Sequence, residues 1–177
     1  MSAAYAFSPE PPLSLAADLG ESEARLYGYW QDIHPGGDLL PGRQHFDPAE
    51  LGSRHPSLLQ HLWLVDVERE PLRFRLRLVG SAVYMTSPFA RAGHYIDEFI
   101  DPASRTETLQ SSFSRLVETA EPEFRRGWPR LPSIRNAREL SRLSLPLAAD
   151  GRTVDMILNL TTYVGAPAMG PAYGRLT

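Results

Sequence analysis

The run from His61 to Gly80, HLWLVDVEREPLRFRLRLVG, constrains the chain more than any other stretch. It holds two alternating strand patterns of similar length, separated by a short charged turn that closes on Pro71. In the second pattern Leu72, Phe74, Leu76 and Leu78 take one face, and Arg73, Arg75 and Arg77 take the other. One greasy face and one charged face predict a half-exposed antiparallel sheet with a core or cavity on a single side.

The rest of the chain supplies the other elements. Leu19, Leu26, Trp30 and Ile33 recur at helical spacing, and His34-Pro35-Gly36-Gly37 ends that helix. Asp47-Pro48 predicts a capped helix start, followed by a turn at Ser57-Leu58-Leu59. After the hairpin, Ser81 to Met85 reads as a short helix or irregular crossing, and Asp97 to Ile100 as another turn. Asp101-Pro102 repeats the cap-plus-proline start and opens a longer helix with a stripe of Leu109, Phe113, Leu116, Val117 and Ala120. Three strand patterns close the chain at 124–134, 139–148 and 153–164, the last two joined by the turn pair Asp150-Gly151. Two strands, a helical crossing and three more strands predict an α+β fold: a five-stranded antiparallel sheet with helices on one face and an N-terminal helix. Residues 1–20 and 165–177 read as flexible tails around one domain at 21–164.

Composition removes whole classes of function. With 177 residues, 42% of them hydrophobic and 22% charged, the chain can bury a core without staples. A net charge of −3 gives no basic field for a nucleic-acid backbone. No apolar run is long enough to cross a bilayer, and the proline-containing start lacks a signal peptide's basic region, so a cytoplasmic location is expected. The absence of cysteine excludes disulfides, thiol nucleophiles and a cysteinyl flavin adduct. All 18 cations are arginine, which excludes Schiff-base chemistry and the P-loop or kinase lysine.

Several segments together carry a family resemblance. These are Leu26-Tyr27-Gly28-Tyr29-Trp30, Leu40-Pro41-Gly42-Arg43, Phe46-Asp47-Pro48, Leu58-Leu59, Leu64-Val65-Asp66-Val67 and Phe74 to Gly80. They resemble the pattern of a bacterial family of stand-alone PAS-like sensor domains over about residues 21 to 164. The resemblance implies a PAS fold, a sensor role and no appended kinase or DNA-binding unit. Where PAS proteins often carry Gly-Arg-x-Leu, this chain has Gly93-His94-Tyr95-Ile96.

In such a fold a ligand lies between the inner sheet face and the short helices. The helical side would then contribute Tyr84, Met85, Phe89, Tyr95, Phe99 and Phe113. The sheet would contribute Phe74, Leu76, Met156 and Leu158. His94 stands where a helical-side histidine ligates heme iron in some PAS proteins, but a lone histidine beside glycine reads as a surface residue. The other four histidines share no metal-ligand spacing, so no metal or cofactor is assigned. Arg73 and Arg75 read as a solvated face, and Arg43 as a tie to an acid such as Asp66. Tyr29 and Trp30 on the first helix either pack on the domain or form a homodimer seam, and a homodimer through that helix is expected.

Three functions follow as alternatives. The preferred one is a non-catalytic sensor that binds a small apolar or amphipathic ligand, or a protein partner. A cone-shaped α+β isomerase would use an Asp/Tyr pair such as Asp155 and Tyr163, which share a strand face but lie about 26 Å apart if the strand is extended. A pure dimerisation module would have a filled interior beneath Phe113.

Overall fold

The computed structural model describes residues 18–87, 90–98, 109–127 and 139–164. Helix α1, Glu21–Asp32, leads through a 3-10 turn at Arg43–His45 into helix α2, Pro48–Arg54. Asp47 caps α2 as its sequence predicts, its carboxylate accepting from the Ala49 amide at 2.8 Å. A 3-10 segment, Pro56–His61, runs directly into β1, Leu62–Glu68. Strand β2, Arg73–Val79, returns beside it and is followed by helix α3, Ser81–Thr86, and a turn at Ile96–Glu98. Helix α4, Leu109–Thr119, precedes strands β3 (Glu123–Gly127), β4 (Glu139–Leu147) and β5 (Met156–Val164).

The five strands form one sheet in the order β2-β1-β5-β4-β3, with every neighbouring pair antiparallel. The last strand therefore lies in the middle, against the first. The helical crossing links the two edges, β2 and β3. This is the α+β fold with one five-stranded antiparallel sheet that the order of the elements predicts.

Apolar side chains cover both faces of the sheet, and alternation along the strands sorts them. Phe74, Leu76, Val65, Val67, Trp63 and Ile157 join Phe113 and Leu116 of α4 on one side, here termed the inner face. Leu62, Leu64, Leu143, Leu145, Leu147, Met156, Leu158 and Leu160 join Leu26, Tyr29 and Trp30 of α1 on the outer face. The half-exposed sheet expected from the hairpin therefore holds only at the β2 edge. In the centre of the sheet α1 replaces solvent.

Helix α1 is docked by polar contacts as well as by area. The Trp30 indole donates to the Pro146 carbonyl at 3.0 Å, and the Tyr29 hydroxyl accepts from the Asp47 amide at 3.1 Å. Glu23, only 3% exposed, accepts from the hydroxyls of Ser141 and Thr162. Of the two alternatives for Tyr29 and Trp30, the structure shows packing on the domain: both are buried, with Leu26, against the sheet of their own chain.

An irregularity in the β1–β2 register corrects one detail of the hairpin. Leu64 pairs with Leu78 and Val65 with Leu76, so Arg77 is the extra residue of a bulge. The bulge moves Leu78 off the face shared by Phe74 and Leu76, leaves it 44% exposed, and turns Val79 inward. The β4–β5 turn follows its sequence signal. Gly151 has φ +77°, and the Asp150 carboxylate accepts from the amides of Arg152 and Thr153 at 2.8 and 2.7 Å. Those bonds hold the Asp150 carboxyl down, at about 2.

Two outcomes test this packing. Trp30→Phe keeps most of the buried area but strands the Pro146 carbonyl, so urea unfolding should show a loss of about 1–3 kcal/mol. An unchanged midpoint would mean that α1 does not dock there. For Asp150→Ala, the wild type's stability advantage should be full above the unfolded carboxyl value of 3.8 and vanish as pH falls through about 2. Thermal melts of the two proteins across that range read the difference.

Candidate functional site

The inner face has an apolar half and a polar half. In the apolar half the Phe113 ring sits 5.4 Å from Phe74, edge to face, and 5.7 Å from Trp63. α4 delivers Phe113 and Leu116 from one helical stripe, and the bulged hairpin delivers Phe74 and Leu76. The polar half spans β1, β5, β4 and β3, where Asn159 pairs with both Trp63 and Ser144, Thr161 with Arg142, and Ser144 with Glu123.

Arg142 anchors that polar half. Its guanidinium donates to Ser112 Oγ at 2.9 Å, lies 3.7 Å from the Glu123 carboxylate, and stacks over Phe113 with its Cζ 5.6 Å from the ring centroid. Ser112 in turn donates to Glu123, and Arg115 reaches the same carboxylate at 3.3 Å. The network ties α4 to β3 and β4 through charge-assisted hydrogen bonds whose inner members, Ser112 and Arg142, are buried. Beside it the Trp63 indole donates to Thr161 Oγ1 at 3.0 Å. Tyr163 lies further along the same strand face, its phenol pushed up to about 12 by burial.

Two atoms in this half have no hydrogen-bond partner among the described residues: Ser144 Oγ and Asn159 Oδ1. Both residues are 0% exposed, and they face each other across β4 and β5. A buried polar group left unpaired costs about 1–3 kcal/mol.

The side chains expected to line a pocket divide among several places. Phe74, Leu76 and Phe113 come together on the inner face. Met156 and Leu158 do not join them; as members of the outer-face core they pack towards α1, because β5 presents Ile157 and Asn159 inward. Tyr84 and Met85 are corrected as well, being 42% and 60% exposed, since α3 turns Ala82 and Val83 to the core. Phe89 and Phe99 lie outside the described residues, as does the helix start at Asp101-Pro102.

Tyr95 is a component of the sheet edge. It bridges to Arg75 as an added rung, donates from its hydroxyl to Glu68 at 2.8 Å, and lies flat under Arg73, whose Cζ is 3.6 Å from the ring centroid. Arg73 also forks onto Asp97 with two bonds of 2.9 Å. Arg75 reaches Glu68 and Asp66, and Arg77 reaches Asp66. The arginine stripe is therefore an exposed ladder of ion pairs. Asp66 is committed to that ladder, so the expected tie from Arg43 is not made; Arg43 donates to the Phe46 carbonyl at 2.7 Å. His94 lies exposed beside Glu98, with Nδ1 2.9 Å from the carboxylate.

The pair invoked for proton transfer is not brought together. Asp155 secures the β4–β5 turn by accepting from the Ala149 amide at 3.1 Å, while Tyr163 lies near the opposite end of β5. Among the described residues no group of three or more His, Asp or Glu side chains is placed to hold a metal. No helix there is long and apolar enough to cross a membrane.

Arg142, Ser144, Asn159 and Ser112 were not legible as site residues. In β4, Arg142, Ser144 and Pro146 alternate with Leu143, Leu145 and Leu147, the pattern of a strand with one wet face. The available signal was Asn159, one amide inside the apolar run Met156 to Leu160.

No family model and no curated protein sequence matches the chain. Among solved structures it is similar to a fungal LOV domain photoreceptor, with a TM-score of 0.43 and 13% identity over 69% of this chain and 94% of that chain.

Replacing Arg142 by Met should destabilise the protein by about 1–3 kcal/mol, because it removes the buried donor to Ser112 and one of the two arginines beside Glu123. Arg77→Met, at the exposed ladder, should cost about 0–1 kcal/mol. Chemical denaturation of the two variants checks the ordering, and equal losses would remove the Arg142 network from its anchoring role.

Proposed function

We propose that this chain is a non-catalytic PAS-type sensor or regulatory module that binds a small apolar or amphipathic molecule on the inner face of its sheet. The observation that carries the reading is the facing pair Ser144 Oγ and Asn159 Oδ1, buried without partners among the described residues on the inner face of the sheet. A structural core satisfies such groups or replaces them with apolar side chains. A ligand-binding face keeps them for its ligand.

The site supports a sensor better than an enzyme. Among the described residues its strongest charges, Arg142 and Glu123, lie beside one another and hold α4, and Glu123, the carboxylate next to Ser144, is already engaged by Ser112 and Arg115. A ligand that changes how α4 sits would alter Ser112, Arg142 and Glu123 together. Binding would be read out through that contact.

A second reading, a dimerisation module with a filled core, draws on the close packing of Phe113 with Phe74 and Trp63. The two readings separate on native mass spectrometry of the freshly purified protein, followed by extraction of anything retained. The sensor reading expects a bound small molecule, or stabilisation by one member of a metabolite panel, worth about 2.7 kcal/mol at a hundredfold excess over its Kd. No retained molecule and no thermal shift across the panel would favour the filled core. An absorption spectrum of the same sample reads heme and flavin directly.

A further inference from the structure

We propose that Ser144 and Asn159 form a recognition edge for a neutral molecule carrying an amide or lactam group. This rests on the ligand-binding reading above and names the chemistry of its ligand.

The two residues are direct partners across β4 and β5, so their side chains rise from the same face, roughly 5 Å apart at Cβ. The Asn159 amide nitrogen donates to the Ile157 carbonyl at 3.3 Å, which leaves Oδ1 as an acceptor. The Ser144 hydroxyl can turn its proton towards whatever stands beside it. An acceptor next to a donor is the complement of an amide edge, whose N–H gives to Asn159 and whose carbonyl takes from Ser144. A carboxylate has no proton for Asn159, and an alkylammonium, though it can donate to both oxygens, leaves the Ser144 hydroxyl proton without an acceptor.

Charge points the same way. Arg142 is ion-paired with Glu123 and bonded to Ser112, so the neighbourhood does not call for an anion. Trp63 pairs with Asn159 on the other side, and its indole N–H is already given to Thr161. An aromatic ring with no spare donor beside an amide-reading pair suits a flat ligand body. The competing occupant is a single bridging water.

Benzamide is the probe, with benzoate and toluene as comparators of the same size. Binding is followed by amide chemical shifts of β4 and β5 in the full chain. Benzamide should saturate and should bind at least about tenfold tighter than either comparator. Asn159→Leu should weaken benzamide by about tenfold or more and Ser144→Ala by several-fold, while toluene binding is unchanged. Ser144→Ala, a small change, keeps the test open should Asn159→Leu fail to fold. If toluene or benzoate binds as well as benzamide, or if a folded variant binds benzamide like the wild type, the amide edge is overturned while the ligand site survives. If the protein retains no molecule on purification and none of the three probes binds, the pair holds water and both readings fall.

Discussion

The antiparallel pairing of β1 with β5 is the contact on which the rest of the structure depends. It joins the N-terminal hairpin to the C-terminal strands and makes one sheet of them, with Leu62 to Asp66 running against Met156 to Leu160. Both strands are central and nearly fully buried, so each must satisfy two packed environments at once. Ladder hydrogen bonds between them close a loop of roughly a hundred residues, and that entropic cost is offset only because both faces of the joined sheet are then covered.

The two covers differ in kind. On the outer face α1 presents Leu26, Tyr29 and Trp30 to a continuous leucine surface, and its polar contacts, from Trp30 and Glu23, are to β4 and β5. On the inner face α4 presents Phe113 and Leu116 to apolar side chains at one end and Ser112 to the Arg142–Glu123 pair at the other. The outer cover is therefore held mainly by area. The inner one is held partly by a polar network whose members can be rearranged by a neighbour that offers hydrogen bonds.

Local signals carried much of the fold. The Asp47-Pro48 cap, the Asp150-Gly151 turn and the 61–80 hairpin all formed where their residues placed them, because each depends on contacts within a few residues. The candidate site was less legible. Phe74, Leu76 and Phe113 meet as expected, while Met156 and Leu158 belong to the opposite face. Strand period two says which residues share a side but not which side meets which helix. The bulge at Arg77 is likewise invisible in an unbroken alternation.

The amino-acid sequence by itself determined the number and direction of the strands, the turn positions and the absence of thiol and lysine chemistry. These rest on backbone preferences and on which atoms exist. Only the tertiary structure decided that the polar side chains of β4 are sealed from water, that the arginines of β2 pair into a surface ladder, and that Ser144 and Asn159 confront each other unpaired. Burial belongs to what packs on top of a residue, and α1 and α4 come from distant parts of the chain whose approach no local pattern encodes.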